Sequence, residues 1–502
     1  MQLGVDSLVL IAAVLMLAAV LTAALASSPK GWFRVPGALL FLAIGMIVGD
    51  AGLGVITVDE TALVRDIGVI ALLLILFEGG LTTKPTDLRL AAVPGTLLAT
   101  VGVALTAAVT GLGVWLLLPV DPLTAGLIGA VVASTDAAAV FGMMRVTPLP
   151  RRVAALLRLE SGANDPIAVM LTVGLIATFE GPTAPGDWVV FAVIQLVGGG
   201  VAGIVVGALG VLLLRRVELG IEGLYPVVAA AIGGVAYGSA AVLGASGFVA
   251  VYIAGLAIGG LVPRHRRTIR GFHEAVANAA EVGLFLMLGL LVVPAQLLTV
   301  APSALAVAAV LTVVARPVAV FVCSLGAGLS WQERTLVSWA GLRGAVPIVL
   351  STFPYTAGVP GGDVLFDVVF FVVLVSVLVQ GLSLTPLVRW LGLVHEPPAW
   401  APVAEALPLD GIDVDLVELF VSDELHLAGR HLRDVPLPDA TLVAAVIRDD
   451  RVLVPQGDTR VLAGDVLLLT TRRRDDALAE LTAWARGETV RPAPPGEADA
   501  DR

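Results

Sequence analysis

The chain has 502 residues, 58% of them hydrophobic and 14% charged, with a net charge of −11 and a mean hydropathy of +0.96. A soluble domain carries roughly 25% charged residues, so the composition excludes a water-soluble globule and indicates a polytopic membrane protein. The acids concentrate after Glu396, so the negative balance reflects one acidic soluble domain at the C-terminal end and no nucleic-acid partner is expected; the single Cys323 excludes a disulfide within the chain.

Apolar stretches of spanning length recur at 6–26, 36–54, 62–82, 90–118, 122–143, 158–179, 188–214, 223–242, 246–262, 274–293, 302–328, 334–355 and 364–391. That makes about thirteen helices on a length-and-hydropathy criterion. The first ends Ala24-Leu25-Ala26-Ser27-Ser28, which mimics a signal-peptidase site, but no basic n-region precedes it, so it reads as a retained helix. Alternate loops carry Lys30 and Arg34, then Lys84 and Arg89, then Arg145, Arg151 and Arg152, then Arg215 and Arg216, then Arg264, Arg266, Arg267 and Arg270, then Arg334. The intervening loops hold only Arg65 among basic residues. Basic loops stay cytoplasmic, which places the N-terminus outside and the C-terminus in the cytoplasm of a bacterial inner membrane. An odd number of helices agrees with that orientation.

Two of these stretches look broken. In 122–143, Ala133-Ser134-Thr135-Asp136-Ala137 sets three polar side chains at mid-membrane. In 334–355, Gly341-Leu342-Arg343-Gly344-Ala345-Val346-Pro347 combines two glycines, a proline and an arginine. They are the fifth and twelfth stretches. Interrupted helices at matching places predict two inverted six-helix repeats with a binding site near the midplane. The seventh stretch would be the connector, and its Gly199, Gly203 and Gly207 are a small-residue stripe suited to close packing.

The chemistry gathers at Glu160-Ser161-Gly162-Ala163-Asn164-Asp165-Pro166. A charge at membrane depth costs about 2.5–3.5 kcal/mol on insertion scales, so such residues are read as functional. On a helix Glu160 and Asn164 are neighbours, as are Ser161 and Asp165. A cation leaving water needs oxygen ligands, which Asp165, Ser161, Thr135 and the backbone near Asp136 can supply. Asp165 can also hold a proton instead, since burial favours the neutral acid. One site that takes a cation or a proton in turn describes an antiporter. Arg343 needs an acid, and Glu160 is the expected partner, which leaves Asp165 free to exchange. Glu78, in Phe77-Glu78-Gly79-Gly80-Leu81, lies near the cytoplasmic border, where a functional and a snorkelling role are both open. His273 and Glu274 fall at an expected helix start and read as interfacial.

The chain changes character after Arg389. Residues 1–394 form the membrane domain, and the proline-rich 395–408 reads as a linker. Residues 409–487 read as a small α+β domain with strands at Val414–Val421, Leu442–Ile447, Val452–Val454 and Val466–Thr471. Helices are expected at Leu427–Arg433 and Asp475–Trp484. A domain this small suggests dimerisation or docking. Residues 488–502 read as a disordered tail. No G-x-G-x-x-G follows a strand near 400, so no nucleotide cofactor is expected.

Taken together, Glu160 to Asp165, Ser134-Thr135-Asp136, the Phe77 to Leu81 motif and the Gly341 to Pro347 motif resemble monovalent cation:proton antiporters of the electroneutral, Asn-Asp type. The resemblance covers roughly residues 5–392. It implies that Asp165 exchanges ion for proton, that Thr135, Ser161 and Asp136 line the ion site, with Ser134 beside them, that Glu160 pairs with Arg343, and that Asn164 steadies the core. It also implies a homodimer with elevator-like motion and no cofactor. One departure is Ala137, where many relatives carry proline. Val435-Pro436-Leu437-Pro438, Ala444 to Asp449, Val454 to Thr459 and Ala463-Gly464-Asp465 resemble the regulatory C-terminal domains (TrkA-C-like) of potassium-transport proteins. That combination resembles bacterial potassium/proton antiporters, which favours K+ over Na+ and allows a small regulatory ligand at the cytoplasmic domain. Two other classes fit less well. A ligand-gated cation channel would need a selectivity filter, and no repeated carbonyl-lining loop is visible. An aspartyl protease built on Asp136 and Asp165 is opposed by Arg343 and Asn164.

Overall fold

A computed structural model describes residues 37–393 and 403–487 apart from short gaps at 55, 57–60, 84, 137–139, 141–148, 182–183, 263–264, 409–413, 422–424, 449–450, 473–476 and 486, together with positions 13, 14, 16, 17, 20 and 21. Most of the first predicted helix, the residues between it and Gly37, and the 488–502 tail lie outside the described residues. The chain divides into two units, Met1–Val394 and His395–Arg502.

In the first unit, long apolar runs form helices because lipid offers no partner for backbone N–H and C=O groups. Among the described residues, 7 helices are long and apolar enough to cross a membrane, and shorter apolar helices accompany them at Gly37–Val48, Pro122–Val131, Gly247–Leu261 and Ala345–Thr356. Thr61–Thr82 adds a further long helix bearing Arg65, Asp66 and Glu78. The helices pack as two bundles. One contains Gly37–Val48, Thr61–Thr82, Gly199–Arg216, Leu224–Val242, Gly247–Leu261 and Arg266–Leu291. The other contains Pro85–Leu97 and Val103–Leu117, Pro122–Val131, Arg151–Glu180, Pro294–Ala309 and Arg316–Cys323, Trp331–Trp339, Ala345–Thr356 and Gly362–Trp390. In this second bundle two helices each carry a wide π-helical turn, at Leu98–Gly102 and Val310–Ala315.

The glycine stripe does pack closely. An added Cβ at Gly199 would lie 2.5 Å from the Ser246 carbonyl, and one at Gly203 2.6 Å from that of Ala250, so side chains there would push the Gly247–Leu261 helix away. Three helix starts come seven or eight residues early, those expected at 158, 274 and 302 lying at Arg151, Arg266 and Pro294. The run expected to begin at 274 starts at Arg266, because its charged turn continues the helix into the polar zone. His273 is therefore buried, its ring edge-on to Phe77, while Glu274 alone is exposed.

The second unit is a five-stranded antiparallel sheet in the order β1-β2-β5-β3-β4, with β1 Val403–Pro408, β2 Val414–Phe420, β3 Thr441–Arg448, β4 Arg451–Leu453 and β5 Val466–Arg472. Val417, Leu419, Val446, Leu467 and Leu469 alternate onto one face, where Leu481 and Trp484 of the Ala477–Ala485 helix cover them. Two expectations are corrected. Residues 403–408, read as linker, form strand β1 paired with β2; an edge strand tolerates proline because one row of its N–H groups makes no ladder bond. Leu427–Arg433 makes no α-helix. Gly429 adopts φ +81°, and its N–H donates to the Val461 carbonyl at 2.7 Å, so tertiary pairing replaces the helical ladder.

Candidate ion-exchange site

The two broken stretches unwind where the sequence places polar and glycine residues. Pro122–Val131 ends and residues 132–136 leave the helix; Trp331–Trp339 ends and the chain resumes helix only at Ala345. The two unwound segments touch, for the Asp136 N–H donates to the Leu342 carbonyl at 2.8 Å. The approach is so close that a Cβ on Gly344 would fall 2.3 Å from Asp136 Oδ2. The Asp136 carboxyl thereby lies at the N-terminus of the Ala345–Thr356 helix, where the helix dipole favours negative charge.

Arg343 holds the opposite kind of helix end. Its Nη1 donates to the carbonyls of Ala133 at 2.7 Å and Ser134 at 2.5 Å, capping carbonyls just past the Pro122–Val131 helix. Its backbone N–H donates to Ser376 Oγ at 3.1 Å, Ser376 donates to Gln380 Oε1, and Gln380 Nε2 donates to the Trp339 carbonyl at 2.9 Å. The expected Glu160–Arg343 pair is accordingly replaced. Glu160, with Arg343 within electrostatic reach, forms its ion pair with Arg316, and both members are buried. The sequence reading missed Arg316. Its signal was there, a lone arginine followed by Pro317 inside an apolar run.

The Arg151–Glu180 helix carries the rest. Asn164 Nδ2 donates to Thr135 Oγ1 at 2.5 Å and lies 3.4 Å from the Thr135 carbonyl, which ties this helix to the first unwound segment. Asp165 is 7% exposed, and its Oδ1 has no hydrogen-bond partner among the described residues. Ser134 and Asp136 are its polar neighbours. Ser161 lies one turn before Asp165, half-buried on the same helix. The structure thus brings Ser134, Thr135, Asp136, Asn164 and Asp165 together, with Ser161 adjacent. Glu78 belongs to the other bundle, half-buried, with Glu274, Thr82 and Arg270 as neighbours. Carboxylate, hydroxyl and carbonyl oxygens make a donor set for a hard monovalent cation, and no three His, Cys, Asp or Glu side chains converge as a metal cluster among the described residues.

The chain is similar to known transport proteins along both of its units. The family described as "Sodium/hydrogen exchanger, transmembrane" matches residues 15–390, and the TrkA-C domain matches 416–483. The chain is 37% identical over 491 residues to the K(+)/H(+) antiporter NhaP2 of Shewanella baltica (strain OS223), covering 96% of this chain and 84% of that protein. It is 38% identical over 465 residues to the K(+)/H(+) antiporter NhaP of Alkalimonas amylolytica, covering 91% and 80%. The solved sodium proton antiporter MjNhaP1 from Methanocaldococcus jannaschii shares the fold with a TM-score of 0.65 at 23% identity, covering 74% of this chain and 97% of that one.

Proposed function

Since the chain belongs to the sodium/hydrogen exchanger family and is a multi-pass cation/proton antiporter, we propose that it exchanges K+ for H+, one for one, at Asp165. The observation that carries this reading is the buried Asp165 carboxyl with an unpartnered oxygen, beside Ser134, Thr135 and Asp136 at the crossing of two unwound segments. Glu160 and Arg343 are engaged elsewhere and act as supports, and Asn164 holds Thr135 in place. Ser161 and Thr135 complete the cation's shell. Dehydrated K+ and a proton then compete for one carboxylate, and alternate exposure couples their opposite movements. K+ is favoured over Na+ because the relatives that match both the membrane unit and the C-terminal domain are named for K+.

The architecture proposed with it has thirteen spanning helices in two inverted repeats. The support is the matched pair of breaks at 132–136 and 340–344, the π-helical turns at Leu98–Gly102 and Val310–Ala315, and the internal prolines Pro166 and Pro386 of the helices that follow. The protein acts as a homodimer in a bacterial inner membrane, N-terminus outside, with residues 403–487 as a cytoplasmic regulatory domain taking a small ligand.

The test is dequenching of a pH dye in proteoliposomes on addition of K+, Na+ or Li+. K+-driven proton movement should be lost in Asp165→Asn and should be indifferent to an imposed potential, since one net charge across 100 mV would otherwise contribute about 2.3 kcal/mol. Persistent exchange in Asp165→Asn removes Asp165 from its role. A rate that follows the potential removes the one-for-one stoichiometry.

A further inference from the structure

Glu281 has no part in the site described so far, and the sequence reading passed over it. It lies in the membrane-embedded half of Arg266–Leu291 and is half-buried. Arg270, Glu274 and Glu281 follow one another at four- and seven-residue intervals, a spacing that keeps them on one helix face. Glu78, on the neighbouring Thr61–Thr82 helix, is close enough to act on both Glu274 and Glu281. Asp136 is close enough to act on both Glu281 and Asp165. Exposure falls along this series, from exposed Glu274 through half-buried Glu78, Glu281 and Asp136 to buried Asp165.

A row of carboxylates inside a membrane is costly unless something positive offsets it. No Lys, Arg or His is paired with Glu281 among the described residues, and the charges that act on it are both negative. Nor do three of these acids converge on one point, so they are spaced as successive stations rather than as one shell. At the inner end, the unpartnered Asp165 Oδ1 marks independently where a ligand stops.

We propose that Glu281 is a relay carboxylate of the exchange path, drawing the cation from the Glu274 and Glu78 end toward Asp136 and Asp165. The proposal rests on the antiport reading above and adds a positioning residue from the opposing bundle. Its role is to concentrate the cation ahead of the exchanging carboxylate, so its loss should appear in apparent affinity before turnover.

The test uses the full-length protein in proteoliposomes, with the K+ dependence of exchange measured at a fixed pH gradient. Glu281→Gln should raise the KM for K+ about tenfold, equivalent to about 1.4 kcal/mol. Its maximal rate should stay within about twofold of wild type, the pattern of a lost interaction made equally before and during turnover. Glu281→Asp, which keeps the charge, should recover most of the affinity. An unchanged KM in Glu281→Gln overturns the proposal, as does a fall in maximal rate alone or a failure of Asp to rescue. If Glu281→Gln does not reconstitute, Glu281→Ala takes its place under the same criteria, a KM raised about tenfold supporting the proposal and an unchanged KM overturning it. Asp165→Asn, measured beside these, tests the antiport reading separately, since exchange that survives it refutes that reading whatever Glu281 does.

Discussion

Removing Arg316 should destabilise the membrane unit more than any single change at the exchange site. Arg316 is 2% exposed and Glu160 1%, so neither charge has water to fall back on. The arginine also donates toward the Val337 carbonyl at 3.4 Å and fills the space beside Gly341, where an added Cβ would lie 2.3 Å from its Nε. Breaking such a buried pair from one side costs about 3–5 kcal/mol, because the remaining charge is left uncompensated. Arg316→Met and Glu160→Gln should each show that loss as a lower apparent Tm in detergent, read from the folded fraction of a fluorescent fusion after heating. The double variant should lose less than the sum, with a coupling of about 2–3 kcal/mol, because it leaves no orphan charge. Gly341→Ala should mimic Arg316→Met in part by displacing the guanidinium. The same cycle run with Arg343→Met should give a weaker coupling to Glu160, since Arg343 turns its Nη1 to the Ala133 and Ser134 carbonyls and makes no ion pair with Glu160. A stronger coupling of Glu160 to Arg343 than to Arg316, or strict additivity of Arg316→Met and Glu160→Gln, would refute the assignment of this pair.

Gly344→Ala should abolish exchange at near-normal expression, because its Cβ would overlap Asp136 Oδ2 at 2.3 Å and Cγ at 2.8 Å, an overpacking that costs about 1–3 kcal/mol and expels the carboxyl. Gly79→Ala, whose Cβ meets nothing within 4 Å, is the control, and initial rates of K+-driven proton movement compare the two. In the C-terminal domain, burial alone would raise the Asp465 carboxyl. Two bonds of 2.7 Å from Arg448 and the Leu462 N–H at 2.8 Å outweigh it and hold Asp465 below the ordinary carboxylate range. A depressed folded value contributes stability that is present above the ordinary carboxylate value and is lost as pH falls through the folded one. Amide exchange along Val466–Arg472, corrected for its intrinsic pH dependence, should therefore stay slow down to about pH 4 and quicken below it. Asp465→Asn should quicken it at neutral pH by removing about 2–3 kcal/mol; an unchanged protection profile would show that the pair contributes nothing.

Much of the membrane unit was legible because lipid imposes one rule on every segment: bury the backbone in a helix of sufficient length. The stretches at 62–82, 223–242 and 246–262 fall within a residue of Thr61–Thr82, Leu224–Val242 and Gly247–Leu261. The two breaks were legible for the complementary reason, since Ser134-Thr135-Asp136 and Gly341 to Gly344 have no reason to sit in an apolar run unless the helix stops there. Local rules failed where tertiary partners decide. Leu427–Arg433 has helical periodicity, yet Gly429 and its neighbours bond to the 457–461 segment instead. The 403–408 strand exists because β2 offers it an edge, which its own Pro408 does not announce.

Charge pairing was the least legible feature, and the site turns on it. Any buried arginine satisfies the rule that Glu160 needs a partner, and the sequence offered Arg343 in a conspicuous motif and Arg316 in a quiet one. The structure divides the work: Arg343 caps the carbonyls of a broken helix, a task that no carboxylate could perform, and Arg316 neutralises Glu160. Neither cation is spent on Asp165, which keeps an oxygen without a hydrogen-bond partner among the described residues. Had Arg316 been absent, Glu160 would have drawn Arg343 away from the Ala133 and Ser134 carbonyls, or would itself have been the free acid. On the proposed reading, the second arginine is thus what leaves the exchange to Asp165.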